Sequence, residues 1–91
     1  MEKLDPSARL KVVRGWLRSK VAAVVGASPD DVGWDDSFFG LGLESQQAVL
    51  LAEEIGRWLG VPVEPMTIFN HPTVTALSLY LEDSESGSLG G

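Results

Sequence analysis

Apolar residues recur at spacings of three and four over two long stretches of the chain, the period of a helix with one buried face. In the first stretch the stripe is Leu10, Val13, Leu17, Val21 and Val24, and Arg14 and Arg18 fall opposite it, where they read as a solvated face. Asp5 is placed as N-cap, and Pro6 takes the first helical position, where a missing N–H costs nothing. Gly26 is placed to stop this helix in a left-handed conformation. The spacing thus predicts a helix over 6–25. A second, over 45–59, is marked by Ala48, Leu51 or Ala52, Ile55, and Trp58 or Leu59, with Glu53, Glu54 and Arg57 on the open side and Gly60 as terminator. Thr73 is placed to cap a last helix whose inward residues are Val74, Leu77, Tyr80 and Leu81.

The connection over 26–44 is too long for a passive linker in so small a domain. After the turn at Ala27-Ser28-Pro29-Asp30-Asp31, its apolar residues Val32, Trp34, Phe38, Phe39, Leu41 and Leu43 are expected to fold it back onto the core. A short helical turn is expected around Met66–Asn70, broken by His71-Pro72. No alternating strand pattern and no internal repeat appears. The predicted fold class is all-α, a small bundle of three to four helices with a long loop between the first and second. The domain is read as residues 6–82, preceded by an N-terminal extension over 1–5. From Asp83 the acidic, serine- and glycine-rich run over 83–91 reads as a flexible tail or linker.

Composition narrows the function. The chain has 91 residues, 44% hydrophobic and 22% charged, which is the balance of a globular domain. It has no cysteine and one histidine, His71, which excludes thiolate metal sites and a cysteine nucleophile and leaves little for a histidine-based zinc site or triad. No stretch reaches the roughly 18 apolar residues of a membrane span, and the start Met1-Glu2-Lys3-Leu4-Asp5-Pro6 lacks the features of a secretory signal, so a cytoplasmic setting is expected. Residues 1–20 carry a net +4 and residues 21–91 a net −10. The acidic body argues against nucleic acid and for partners with basic docking surfaces. Asp30, Asp31, Asp35 and Asp36 do not have the alternate spacing of a calcium loop and read as solvated. Trp16, Trp34 and Trp58 read as packing residues, and His71 as structural or exposed.

The remaining chemistry gathers in Phe38-Phe39-Gly40-Leu41-Gly42-Leu43-Glu44-Ser45-Gln46-Gln47-Ala48-Val49. Ser45 follows a glycine-containing loop and opens an amphipathic helix, beside unpaired backbone N–H groups and the positive end of the helix dipole. Phosphate attached there is electrostatically welcome. From spacing alone, Ser45 as a plain helix cap is the alternative reading.

The stretch Phe38–Leu81 resembles the phosphopantetheine-binding acyl carrier domains of modular polyketide synthases. The resemblance is carried by Phe39, Leu41-Gly42-Leu43, Ser45, Ala48-Val49, Leu51, Ile55, Gly60, Phe69, Pro72-Thr73 and Ala76-Leu77, in register without a gap. It implies a carrier-type helical bundle and a 4′-phosphopantetheine arm on Ser45, taken from coenzyme A by a separate phosphopantetheinyl transferase with magnesium. The arm ends in a thiol, so a chain without cysteine can hold acyl groups as thioesters. The implied role is non-catalytic: a monomeric carrier that presents acyl intermediates to a ketosynthase, an acyltransferase or an acyl-adenylating ligase, with neither nucleic acid nor membrane as partner. Leu43, Glu44, Gln46, Val49, Leu50 and Glu53 are the expected partner-recognition residues. Three of these positions depart from the family pattern. Glu44 replaces the usual aspartate, Gln46 stands where leucine is typical, and Leu50 where an acid is common. The rival readings are a peptidyl carrier of nonribosomal synthesis, against which Leu43-Glu44 argues, and an unmodified helical docking module.

Overall fold

The computed structural model describes the backbone of residues 6–90 and the side chains of residues 8–82. Among them are four α-helices, α1 (Pro6–Val25), α2 (Ser45–Leu59), α3 (Pro65–Asn70) and α4 (Val74–Gly90), with a single 3-10 turn at Pro29–Asp31. The all-α bundle read from the sequence is the one observed, and α1 and α2 have the predicted bounds. Their ends follow from local chemistry. Gly26 and Gly60 sit in the left-handed region at φ 76° and 79°, where a side chain would be strained. Thr73 Oγ1 accepts the Ala76 N–H at 3.0 Å and caps α4. The N-cap role assigned to Asp5 falls outside the described residues. α4 runs on to Gly90, past Glu82, where the sequence placed the end of the domain. No proline follows Pro72, so nothing interrupts the i→i−4 ladder.

Each element contributes to one core. α1 supplies Val13, Leu17, Val21 and Ala22; α2 supplies Ala48, Leu51, Ala52 and Ile55. Ile68 enters from α3, and Val74, Leu77 and Leu81 from α4. The 26–44 connection sends in Val32, Phe38 and Leu43, with Phe39 and Leu41 packed against them. It is pinned twice to the start of α4: the Phe38 N–H donates to Pro72 O at 2.7 Å and the Thr75 N–H to Trp34 O at 3.0 Å. Two of its aspartates cap backbone, Asp31 Oδ2 accepting the Ser28 N–H and Asp36 Oδ2 the Gly33 N–H.

Several expectations are corrected. Arg14 and Arg18 do not form a solvated face. Both guanidinium groups lie over the Trp34 ring, at 5.2 and 4.6 Å from its centre, and Arg18 Nε donates to Pro29 O and Val32 O at 2.7 and 3.0 Å. Arginine stems cover apolar surface while the planar head stacks. Trp34 is accordingly an exposed lid over these arginines and not a core residue. Tyr80 faces outward and stacks on His71 at 4.4 Å. Leu10 and Val24, at the ends of the predicted stripe, are only half-buried. Trp16 and Trp58 stack at 4.3 Å across the surface of α1 and α2, so Leu59 is the one of the Trp58–Leu59 pair that packs on the core.

Candidate functional site

The loop before α2 is a sequence of tight turns. The Leu41 and Leu43 N–H groups both donate to Phe38 O, at 3.1 and 3.0 Å, and the Gly42 N–H donates to Phe39 O at 3.2 Å. Gly42 takes φ 111°, a conformation that L side chains rarely adopt. Phe38 and Leu43 are buried at 0% and 4% exposure, so the turn is anchored at both ends in the core. Glu44 then adopts the extended geometry of an N-cap, and Ser45 is the first helical residue.

Ser45 is exposed, and among the described residues no hydrogen bond engages its hydroxyl. The cap is made elsewhere, with Gln47 Oε1 accepting the Glu44 N–H at 2.8 Å. The first intrahelical bond is Ala48 N–H to Glu44 O at 2.9 Å. The N–H groups of Ser45, Gln46 and Gln47 therefore precede the helical ladder and carry the partial positive charge of a helix N-terminus. Among the described residues no base bonds to Ser45, and a serine alcohol without one is a weak nucleophile. The site can present an alcohol and accommodate a phosphate.

Of the expected recognition residues, Glu44, Gln46, Val49, Leu50 and Glu53 are all exposed on the mouth and outer face of α2. Val49 and Leu50, at 42% and 57% exposure, form an apolar strip between polar neighbours. Leu43 departs from the expectation: its side chain belongs to the core and offers a partner almost nothing. Glu54, read as part of the open face, is bound by Lys20 at 2.6 Å. Beside the mouth, Phe39 stacks on Phe69 of α3 at 5.0 Å, holding the loop to the third helix. Gln47 was not singled out from the sequence. Its signal was a glutamine three residues after an extended N-cap, the pattern of a capping box.

This arrangement defines a class, a small helical bundle that displays an exposed serine at a helix mouth. The chain belongs to the family described as "Phosphopantetheine attachment site", which matches residues 15–81, and it is a carrier domain of the polyketide synthase type. A phenolphthiocerol/phthiocerol polyketide synthase of Mycobacterium tuberculosis is 38% identical over 73 residues, 80% of this chain, and the chain spans about 4% of that protein's length. The acyl carrier protein Asl1650 of Anabaena sp. PCC 7120, with a variant phosphopantetheinylation-site sequence, superimposes with a TM-score of 0.75 at 31% identity, covering 91% of this chain and 93% of that one. The HMG-ACPI domain of the CurA module from Lyngbya majuscula shares the fold, with a TM-score of 0.82 at 21% identity over 100% of this chain and 90% of that one. The group carried in this family is covalently attached phosphopantetheine. The exposed, unbonded alcohol at the mouth of α2 fits such an attachment.

Proposed function

We propose that Ser45 is the attachment point and that residues 6–82 act as a non-catalytic, monomeric acyl carrier in polyketide assembly. The observation that carries this reading is the exposure of an uncommitted Ser45 hydroxyl at the start of α2 in a chain of the phosphopantetheine-attachment family. In the modification, the Ser45 oxygen bonds to the phosphorus of coenzyme A that bears the pantetheine. The bond from that phosphorus to the adenosine-bisphosphate leaving group breaks, and the hydroxyl proton goes to a base on the transferase. The bound arm supplies the thiol on which acyl groups are held as thioesters.

The chain's own residues then have two tasks. The N–H groups opening α2 and its dipole favour the phosphodiester charge. The face formed by Glu44, Gln46, Val49, Leu50 and Glu53 meets the transferase and the ketosynthase, acyltransferase or acyl-adenylating ligase that use the arm. Exposed Val49 and Leu50 supply an apolar contact, and the acids steer encounter with basic surfaces. The proposed setting is the cytoplasm, where coenzyme A and its transferases are at hand; no helix among the described residues is long and apolar enough to cross a membrane.

The test is incubation with coenzyme A, magnesium and a phosphopantetheinyl transferase of broad specificity, followed by intact mass. A gain of one phosphopantetheine that Ser45→Ala abolishes supports the reading. A parent chain that stays unmodified, or a Ser45→Ala chain that is still modified, overturns it.

A further inference from the structure

A helix mouth leaves its first N–H groups unpaired, and a helix end leaves its last carbonyls unpaired. Where α1 ends beside the start of α2, one side chain answers both. Gln47 Oε1 accepts the Glu44 N–H at 2.8 Å, and Gln47 Nε2 donates to Val24 O, in the last turn of α1, at 3.3 Å. A neutral carboxamide can do both at once. A carboxylate has no N–H to give, and an ammonium has no oxygen to accept. Leu43 upstream and Ala48 downstream are both buried. Ser45 and Gln46 therefore occupy a short arc fastened on either side, and because Glu44 is the N-cap and pairs with Gln47 as a capping box, the Ser45 hydroxyl is left out of the capping.

We infer that Gln47 is a positioning residue for the modification of Ser45. By tying the mouth of α2 to the end of α1 it holds the Ser45 alcohol outward and free of capping, in the orientation a transferase must meet. Being uncharged, it does so without repelling the phosphodiester two residues away. The inference rests on Ser45 being the attachment point.

The experiment uses the full chain with coenzyme A and a broad-specificity phosphopantetheinyl transferase, with kcat and KM read by intact mass. Amide exchange at Glu44 is followed by NMR in the unmodified protein, and thermal unfolding reports the fold. Gln47→Ala is expected to lower kcat by about threefold to tenfold, the scale of one lost hydrogen-bond pair, with KM unchanged and the Glu44 amide exchanging faster. Gln47→Met keeps the volume but neither bond, so it behaves as Gln47→Ala does and serves if the alanine variant loosens the fold. Gln47→Glu keeps the acceptor for Glu44 but loses the donor to Val24, so it restores protection of the Glu44 amide and only part of kcat. Parent-like kcat in a folded Gln47→Met chain overturns the inference, as does slowed modification with unchanged Glu44 exchange. If the parent chain itself is never modified, the attachment reading fails and the inference fails with it, a result distinct from a modified parent and an indifferent Gln47.

Discussion

A methyl group added at Gly56 meets backbone, whereas one added at Gly15 meets nothing, so the same substitution in two helices should have opposite signs. Gly15 lies in α1, and a Cβ built there has no atom within 4 Å outside its own helix. Replacing a helical glycine by alanine is worth up to about 1 kcal/mol when the space is free, so Gly15→Ala should stabilise by roughly that amount. At Gly56 in α2 the built Cβ falls 2.8 Å from Val61 O, 3.4 Å from Val63 N and 3.8 Å from Pro62 Cα. Those atoms cannot rotate aside as a side chain could. The segment is also tied down, since the Gly60 and Val61 N–H groups both donate to Gly56 O, at 2.7 and 3.1 Å. Overpacking costs about 1–3 kcal/mol, which exceeds or cancels the propensity gain and leaves a net loss on the order of 1 kcal/mol. In a domain of this size each kcal/mol moves the thermal midpoint by about 4–8 °C. Thermal and urea unfolding of the two single variants should therefore give a midpoint above the parent for Gly15→Ala and below it for Gly56→Ala. If Gly56→Ala raises the midpoint as Gly15→Ala does, the close packing of the 61–63 segment on α2 is wrong.

Thr73→Ala removes the oxygen that caps α4 and should lower stability by about 1 kcal/mol, with Thr73→Ser restoring most of it; equal midpoints for all three would refute the cap. Glu54 is held below its ordinary pKa of 4.5, first by the hydrogen bond from Lys20 and then by the charge of the same ammonium. A lowered folded-state pKa means the pair's contribution is present above the usual glutamate range and fades as pH falls through the folded value. An NMR titration should show the Glu54 midpoint rising in Lys20→Met, and an unmoved midpoint would exclude the pairing. Gln46→Leu places an apolar group on the exposed mouth of α2 and should change modification and acyl-transfer rates while leaving the thermal midpoint within about 2 °C of the parent. A larger midpoint shift would make Gln46 structural.

Much of the site was legible because its signals are local. Ser45 follows a glycine loop and begins an apolar stripe, and both facts hold whatever the rest of the chain does. The exposure of Gln46, Val49, Leu50 and Glu53, proposed to face partners, was legible because helical period alone decides it. Leu43 was misread because it precedes the helix, where no period applies, and its direction is set by the turns at Phe38 and Gly42. Gln47 escaped notice because half of its role lies in Val24 O, a carbonyl on another helix.

By itself the amino-acid order determined the first two helices and the start of the last, since the 3.6-residue period, the glycines at 26 and 60 and the threonine at 73 act within a few residues of where they stand. Tertiary structure decided what the polar side chains do. Arg14 and Arg18 have the spacing of a solvated face, yet Trp34, brought back by the long connection, stacks on them. Glu54 looks open along α2 until Lys20 of α1 is beside it. Periodicity reports which way a residue points on its own helix, whereas the partner of a long polar side chain depends on which other element arrives there, and that is settled only when the core closes.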